Sequence, residues 1–586
     1  MPTRPLPNDP SFEHLRKEAK RLRDAVRAGQ DDALALLREF HPRAHQAGAE
    51  CSLADAQLVT ARSYRFPSWT KLKQHLVAIE PLTWNPPPSP DPSSLIDVFV
   101  RLACLAYAGW HPSNPDKARR MLADRPELAR ADVYTAAAAG DVEAVREAID
   151  RDPALVRAKS GPLHWEPLLY ASYSRMDSTD AGHSTLEVAR VLLSGGADPN
   201  AGFLFSGSYA FTALTGAFGR GEDWPNQPPH PESLALARLL LEAGADPNDS
   251  QALYNRHFKE NDDHLKLLFD YGLGHDKGGP WLKHLADENA SPSTMLVPQL
   301  CWAATRNFPA RVRLLVEHGV DVNTPSLRTE RTPYEEALRA GHHGIAEYLL
   351  QHGARKIQLD PIETFALACI AGRRQEVRAR LAEDPGLLDR LGHEGRIDML
   401  HRAVDAKRYD GVRLIVELGV DINGMLPGTG LDRSVLHNAA GWAGLEMVTF
   451  LIELGGDPSL RDPTYHATPI GWAAHGQNHD VVEYLLQFAG IFDAVQVGGV
   501  ERAAALLGDD PSLANARDEA GVPLVFYLHP EMARLKEMIE FLLAHGADFD
   551  ALDTDGKSAI DRARARGWID LAGTLMSLSR RTRPRA

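Results

Sequence analysis

The sequence predicts an all-α protein built from repeated helix-turn-helix units, and two observations support that fold class. First, one pattern recurs: an apolar helix that ends in glycine, followed by a turn centred on aspartate, as in ARLLLEAGADPN at 237–248 and VRLIVELGVDIN at 412–423. Second, a shorter helix rich in small residues precedes most copies, as in ATPIGWAAHGQN at 467–478. Glycine closes a helix through its left-handed conformation, and Asp-Pro-Asn sequences favour tight turns. The unit is therefore a turn, a short helix and a second helix, with a period of roughly 33 residues.

This pattern resembles the ankyrin repeat family. The specific motifs are Thr-Pro at 332–333 and 468–469, Leu-His at 400–401 and 436–437, and the repeated Gly-Ala-Asp-x-Asn endings. A second type of copy, in which the second helix ends in Asp-Pro-x-Leu, occurs at 136–159, 366–390 and 494–517. The resemblance covers residues 95–578 and implies an ankyrin-repeat solenoid of about twelve helix-turn-helix units.

Three further segments lie outside the repeats. Residues 1–80 predict a small helical N-terminal module of amphipathic helices, with Ser11 as a helix-capping residue. This module resembles the one found ahead of ankyrin arrays in many bacterial proteins. Residues 81–94 (PLTWNPPPSPDPSS) predict a semi-rigid proline-rich linker, and residues 579–586 predict a short basic tail.

The composition indicates a folded protein without a basic surface for nucleic acid. The chain has 586 residues, of which 44% are hydrophobic, and a formal net charge of −15. General nucleic-acid binding requires a basic face, so we expect no nucleic-acid partner. The N-terminus has no apolar signal segment, and no stretch approaches the run of about 18 apolar residues that spans a bilayer. We therefore expect no membrane partner and a cytoplasmic protein.

No motif for catalysis, metal or cofactor stands out. The four cysteines lie far apart in apolar helical contexts and are expected to be buried free thiols, which suits a reducing compartment: Cys51, Cys104, Cys301 and Cys369. The sequence has no glycine-rich phosphate loop, HExxH helix or GxSxG turn. We expect no metal and no cofactor and favour a non-catalytic protein, although catalytic residues drawn from distant repeats would leave no local motif.

Two adjacent repeats carry insertions between their helices, at 176–184 and 222–232. Connections between packed helices normally need few residues, and insertions at equivalent points of neighbouring repeats emerge side by side on one face. Closely spaced prolines stiffen the second insertion, which contains Trp224, Asn226 and His230. Neutral drift would also allow such loops, because added loop length costs little free energy. We favour a role in binding.

The same region departs from the repeat pattern in a second way. Asn255, Arg256 and His257 occupy positions that hold small or apolar residues in other copies. A buried polar group without a partner costs roughly 1–3 kcal/mol, so these side chains must be exposed or join a hydrogen-bonded network. Asp262, Asp263 and the inserted loop are the candidate partners. Such a network would be either a local polar staple or a ligand-binding cluster.

Exposed aromatic and charged residues are expected in the turns before two short helices. These turns correspond to the fingers of an ankyrin array, where such residues usually hold partners. His164, Trp165 and Glu166 lie in one finger, just before the helix that contains Tyr170. The next finger, FLFSGSYAF at 203–211, is unusually aromatic, and we expect it to be partly core and partly contact surface.

The sequence therefore favours a non-catalytic protein that binds another protein through the concave face, fingers and inserted loops of the repeats. The predicted binding residues are His164, Trp165, Glu166, Tyr170, Tyr209, Trp224, Asn226, His230, Asn255, Arg256 and His257. The alternative is a small-molecule or enzymatic pocket in the repeats at 160–263, with Glu166 and either His230 or His257 as acid–base groups. A purely structural scaffold would have the same sequence features. Deletion of Glu222–Glu232 is expected to weaken binding with little effect on the melting temperature.

Overall fold

The computed structural model confirms the predominantly helical fold: helix accounts for 60% and strand for 4% of the structure. It describes the chain except residues 1–3, 5, 8–9, 45–50, 86, 88–93, 108–109, 181, 224–225, 276–278, 285–290, 293, 328, 427–431, 531, 533, 567 and 583–586. The chain forms two compact units, one of residues 1–337 with 343–355 and the other of residues 338–342 with 356–586.

The N-terminal residues form helices, as their amphipathic pattern predicts. The helices are Phe12–Arg27, Asp31–Phe40, Leu53–Ser63 and Trp69–Ile79, followed by a 3-10 turn at Glu80–Leu82. Ser11 caps the first helix as predicted, because its hydroxyl accepts a hydrogen bond from the amide of His14. Ser52 and Asp55 form a reciprocal capping box at the third helix. Leu15 and Leu72 belong to the buried core of this module.

Pairs of helices follow, each with a first helix, a connection and a second helix. The pairs before residue 356 are Leu95–Ala103 with Asn114–Asp124, Val133–Ala139 with Val142–Arg151, Pro167–Tyr173 with Thr185–Ser194, Ala213–Phe218 with Ser233–Glu242, Ser250–Arg256 with Asp263–Asp270, Val297–Arg306 with Pro309–Glu317, and Pro333–Arg339 with His343–Gln351. Short 3-10 helices lie at Pro126–Arg130, Pro153–Arg157 and Leu282–His284.

The pattern continues in the second unit. Its pairs are Pro361–Ile370 with Arg374–Glu383, Gly392–Asp405 with Tyr409–Glu417, Val435–Asn438 with Leu445–Glu453, Pro469–His475 with His479–Leu486, Ile491–Val497 with Val500–Asp509, Leu524–Tyr527 with Leu535–Ala544, and Ala559–Ala565 with Ile569–Thr582. Val435–Asn438 continues into a π-helical turn at Ala439–Ala443, and additional short helices lie at Leu387–Arg390 and Pro511–Asn515.

The asparagine of the Gly-Ala-Asp-x-Asn motif links one turn to the next. The Asn200 amide donates to the Gly244 carbonyl at 3.1 Å, and its Oδ1 accepts from the Asp246 amide at 2.8 Å. Asn423 makes the same pair of bonds to the following turn, at Gly455 and Asp457. The preceding aspartate shapes the turn, since Asp198 accepts from the amide of Asn200. The predicted tight turns are therefore present, and they also fix the spacing of successive helix pairs.

A small sheet is the main addition to the predicted all-α fold. Strand β1 (Thr83–Trp84) pairs in parallel with β2 (Gly202–Phe205), and β2 pairs antiparallel with β3 (Tyr209–Thr212). β1 lies inside the segment predicted as a proline-rich linker, and β2 and β3 form the aromatic finger. Leu204 and Ala210 of this hairpin join the core of the N-terminal helices. The hairpin thus packs against the N-terminal module instead of standing free as a finger.

An aromatic cluster buries residues that the sequence places on the surface. Trp165 stacks on Phe203 with ring centroids 5.3 Å apart, and Trp84 lies 5.1 Å from Trp165. The Trp84 indole donates to the carbonyl of Leu163 at 2.6 Å. Trp165 is only 1% exposed and Tyr170 is fully buried. The expectation that Trp165 is exposed is wrong, because the hairpin and β1 cover it.

The four cysteines are buried and free, which confirms the prediction for the thiols. Cys369 lies in the core of the second unit with Phe365, Leu400 and Leu436. Burial raises the pKa of Cys369 to about 12, because a thiolate loses its hydration there. These side chains are inert core residues.

The aromatic cluster predicts that replacing a buried aromatic residue destabilises the protein far more than replacing an exposed one. Trp165→Ala is expected to lower the free energy of unfolding of the first unit by about 3–5 kcal/mol, because it removes a buried indole and leaves a cavity. Tyr209→Ala in β3 is the control, since Tyr209 is 51% exposed. Urea unfolding of both variants checks this, and equal losses of stability would show that Trp165 is not a core residue.

Candidate functional site

Long connections between paired helices gather in one part of the first unit. They are residues 104–113, 174–184, 219–232 and 257–262, which we call the loop cluster. By contrast, Val133–Ala139 and Val142–Arg151 are joined only by Gly140 and Asp141. The second and third connections contain the insertions predicted from the sequence, whereas the first connection was not predicted. Its long separation between two apolar helical segments could have revealed it.

The two predicted insertions contact each other. The Ser178 hydroxyl donates to the Glu232 carboxylate, which joins the two connections directly. Thr185, at the start of the helix after the first insertion, lies 2.8 Å from the Nε2 atom of His230 in the second. The prediction that these loops lie side by side is confirmed.

Buried Arg175 links the third connection to the C-terminal ends of two helices, Pro167–Tyr173 and Ala213–Phe218. Its Nε donates to the Pro228 carbonyl at 2.8 Å, and its Nη2 donates to the Gly216 carbonyl at 2.9 Å. Nη1 donates to the carbonyl of Ser174 at 2.9 Å. Among the described residues Arg175 has no carboxylate partner, and burial lowers its pKa to about 10. Backbone carbonyls alone therefore hold the third connection on this guanidinium.

His230 is a structural residue of the same connection. Its Nδ1 accepts from the Glu232 amide at 3.0 Å, so the proton is assigned to Nε2, which donates to the Thr185 hydroxyl at 2.8 Å. Burial, and secondarily the positive charge of Arg175, lowers the pKa of His230 to about 3. Both ring nitrogens are occupied and the ring is neutral, so His230 is poorly placed to exchange protons with a substrate.

Asn255 joins a hydrogen-bonded network, one of the two outcomes that the sequence allows. Its amide donates to the Tyr107 hydroxyl at 2.9 Å, and its Oδ1 accepts from the Gln251 amide at 2.8 Å. These partners differ from the expected Asp262 and Asp263. Tyr107 belongs to the first connection and packs 5.0 Å from Phe211. Asn255 therefore links the first connection to a helix pair far along the chain.

His257 is packed among aromatic rings. Its ring centroid lies 4.4 Å from that of Trp302 and 4.1 Å from that of Phe258. The carbonyl of His257 accepts from buried Arg311, which also pairs with Asp262 at 2.6 Å. Asp262 is therefore engaged by Arg311. Arg311 thus takes the place of the side chains for which Asp262 was the expected partner.

Three cations of the loop cluster and its flanking helix form what we call the cation patch: half-buried Arg220 and Arg256, and exposed Lys259. Arg256 donates to the side-chain oxygen of Asn261 at 3.1 Å. Arg220 projects from a Gly-Arg-Gly turn in which all three residues have positive φ, at 54°, 66° and 143°. Glycine adopts positive φ freely, whereas a φ of 66° is uncommon for a residue such as Arg220. Burial and, secondarily, the neighbouring charge of Arg220 together lower the pKa of Arg256 to about 10. Desolvation and, secondarily, Arg220 also lower the pKa of Lys259.

The other predicted site residues are dispersed. His164 is exposed with a φ of 54°, and Glu166 is half-buried at the cap of the helix that begins at Pro167. Burial raises the pKa of Glu166. Within the described part of the chain, Glu166 makes no hydrogen bond to His230 or His257. Asn226 donates to the Asp223 carboxylate at 2.8 Å, and Trp224 lies outside the described residues.

A small cavity lies at the turns around Asn200 and Asp249, and its lining includes no residue of the loop cluster. Asp249 lies at its wall and accepts hydrogen bonds from Thr212 and Thr215, while burial raises its pKa. The cavity, also lined by Asn200 and Trp281, has a volume of about 10 Å³. That volume accommodates about one water molecule. It does not accommodate a substrate.

In the described ranges, no three His, Cys, Asp or Glu side chains are grouped so that they could hold a metal ion. No described helix is both long enough and apolar enough to cross a bilayer.

Comparison with known proteins does not assign a function. No protein-family model and no curated protein sequence matches the chain. Among the 289 solved chains that match, one comes from the structure of a predatory endopeptidase of Bdellovibrio bacteriovorus in complex with an immunity protein. It is 24% identical, with a TM-score of 0.23, and the match covers 30% of this chain and 96% of that chain. A likeness this weak carries no argument.

The contacts of Arg175 change the expected effect of removing the inserted loop. Deletion of Glu222–Glu232 would remove the Pro228 carbonyl and the His230 ring, and so leave Arg175 and Thr185 without these partners. We now expect this deletion to destabilise the first unit, contrary to the expectation from the sequence. Single substitutions of exposed residues test binding more cleanly.

Arg175 should be essential for the third connection. Arg175→Met leaves buried carbonyls without donors and is expected to lower the free energy of unfolding by about 3 kcal/mol. Trypsin should then cleave at Arg220 in the native protein, because the loop is no longer anchored. Arg238→Met, in the exposed face of Ser233–Glu242, is the matched control and should leave both properties unchanged. Resistance of Arg175→Met to cleavage would contradict the anchoring role.

Because buried His230 is neutral, we expect the folded protein to lose stability in acid. Its pKa is about 3 in the folded chain and about 6.5 when unfolded, so the unfolded chain binds the extra proton between these values. The free energy of unfolding should therefore fall as pH decreases below about 6.5, by up to about 1.4 kcal/mol per pH unit. Burial also keeps His264 neutral, and its effect has the same sign.

Urea unfolding at neutral and mildly acidic pH measures this dependence. His230→Gln retains an amide donor for Thr185 without a titrating ring, so it should show a smaller loss of stability on acidification than the wild type. Identical pH dependence in the two proteins would refute the assignment of a buried neutral His230.

Proposed function

We propose that the chain is a non-catalytic ankyrin-repeat protein that binds another protein through the loop cluster. The observation that carries this proposal is the mutual anchoring of the long connections. Arg175, the Ser178–Glu232 contact and the Tyr107–Asn255 bond hold three of them in place. A surface ordered before binding loses less conformational entropy when a partner docks.

Several features support the ankyrin assignment. Successive pairs of short helices are joined by turns in which Asn200 and Asn423 bond to the following turn. His437, in one of the Leu-His motifs, lies 3.1 Å from the Ala467 carbonyl of the next turn. In such an array the concave face and the loops beside it are the customary binding surface. The buried free thiols favour the reducing cytoplasm as the location.

The polar residues of the cluster support binding over catalysis. His230, Asn255 and Arg175 are buried, and each uses its polar atoms to hold the backbone or a neighbouring loop. A catalytic group must instead present an atom to the substrate. The alternative small-molecule or enzymatic pocket has less support, because both ring nitrogens of His230 are hydrogen-bonded within the protein and, among the described residues, Glu166 makes no hydrogen bond to His230 or His257.

The cation patch indicates the chemistry of the partner. Arg220 and Arg256 repel each other in a partly desolvated setting, and an acidic side chain of a partner would relieve that repulsion. Tyr254, which is exposed beside Glu222, adds an aromatic contact of the type common at binding hot spots. We therefore infer that the bound protein presents an acidic segment.

Site-specific photo-crosslinking tests the proposal. A benzophenone amino acid at Glu222, in the loop cluster, should capture a discrete protein from lysate of the source organism. The same group at exposed Arg238 should not capture it. The captured protein, once purified, should bind Arg220→Gln about tenfold more weakly than wild type, as expected for the loss of one charge-assisted contact.

Arg238→Gln is the control for that affinity, because it removes an equal charge from the exposed side of a neighbouring helix. All variants should retain the wild-type melting temperature. Equal capture from both positions, or equal affinity of the two glutamine variants, would contradict binding at the loop cluster.

A further inference from the structure

The second unit contains one strongly shortened first helix. Leu524–Tyr527 is a 3-10 helix of 4 residues, whereas Ile491–Val497 and Ala559–Ala565, the first helices before and after it, each have 7. Pro523 precedes it and Pro530 follows soon after. Proline lacks an amide donor and disfavours helical conformation in the residue before it. The chain is therefore extended at Leu528, with φ −64° and ψ 124°, where a longer helix would continue.

The missing helical turn leaves open space on both sides. One cleft, of about 440 Å³, lies between the short helix and the helices Ala559–Ala565 and Ile569–Thr582. A second, of about 340 Å³, borders Leu524 and Val525 on the side of Asn515 and Asp548. The larger cleft falls within the size range of small-molecule sites in proteins.

The larger cleft has an apolar floor. Its apolar lining residues are Val522, Val525, Phe526, Leu528, Trp568, Leu571 and Leu575. The carboxylates in its wall are already engaged. Asp518 accepts from the Tyr527 hydroxyl at 2.6 Å and from the Val522 amide at 2.8 Å. Asp553 accepts from the Nε of Arg562 at 2.7 Å.

Arg566 is the remaining charged group of the lining. Its guanidinium lies 4.8 Å from the centroid of the Trp568 ring. Among the described residues it has no carboxylate partner, in contrast to Arg562, which pairs with both Asp553 and Asp555. The ring edge of His529 meets Trp568 from another direction, at 4.6 Å between centroids. Among the described lining residues, the cleft thus combines aromatic and aliphatic side chains with an arginine that no carboxylate pairs with.

We propose that this cleft binds a small aromatic carboxylate. The ring of the ligand would occupy the space left by the missing helical turn, against Phe526 and Trp568, and its carboxylate would pair with Arg566. Guanidinium and carboxylate match in charge and in planar geometry. A neutral ligand would gain only the apolar contacts. This site is separate from the loop cluster, so its test does not depend on the proposed protein partner.

The test uses 3-phenylpropionate and its neutral counterpart 3-phenylpropanamide as probes, with the full-length chain. Methyl NMR spectra report binding at Val525, Leu528, Leu571 and Leu575, which line the cleft. The carboxylate should shift these methyl signals in a saturable manner and bind about tenfold more tightly than the amide. Methyl signals elsewhere should remain unchanged.

Two arginine variants test whether Arg566 supplies the positive charge that the carboxylate recognises. Arg566→Gln should abolish the preference for the carboxylate. Arg564→Gln should keep it, because Arg564 is exposed on the same helix and contacts the Met576 sulphur instead. Both changes are at exposed positions, and unchanged methyl spectra without ligand will establish that the variants fold. Equal binding of acid and amide, equal effects of the two variants, or no shifts up to the solubility limit of the carboxylate would overturn the proposal.

Discussion

The bond from the asparagine of one turn to the backbone of the next is the constraint on which the rest of the structure depends. Asn200 and Asn423 each donate to one turn and accept from it, so two bonds fix the offset between successive helix pairs. Because the offset is fixed, the connections between paired helices follow one another along one side. Lengthening neighbouring connections then produces a continuous surface made of several loops.

Such a surface needs internal anchors, since long loops are otherwise flexible. Arg175 supplies one by donating to carbonyls of the third connection and of two helix ends. The cost is a buried charge without a carboxylate partner, which its lowered pKa reflects. His230 supplies another while remaining neutral. The groups that resemble catalytic residues in the sequence therefore hold the loops.

Local sequence patterns predicted those features that depend only on residues close together in the sequence. Glycine and Asp-x-Asn motifs predicted the turns, small residues predicted the short helices, and apolar contexts predicted the buried thiols. The contacts that depend on distant segments were not predictable. Trp165 is buried because strand β1 and the hairpin reach it from other parts of the chain. The partner of Asn255 is Tyr107, 148 residues earlier, and no sequence spacing indicates that pairing. The short helix at Leu524–Tyr527, by contrast, was predictable from Pro523 and Pro530.

The central claim is that the loop cluster is one ordered surface that a protein partner covers. Hydrogen–deuterium exchange of the wild-type chain, alone and with the captured partner, measures this most directly. We predict that the described residues of 174–184 and 219–232, which exclude 181 and 224–225, exchange slowly in the free chain, close to their flanking helices, and more slowly still in the complex. Rapid exchange of both segments in the free chain, or partner protection confined to other residues, would contradict it.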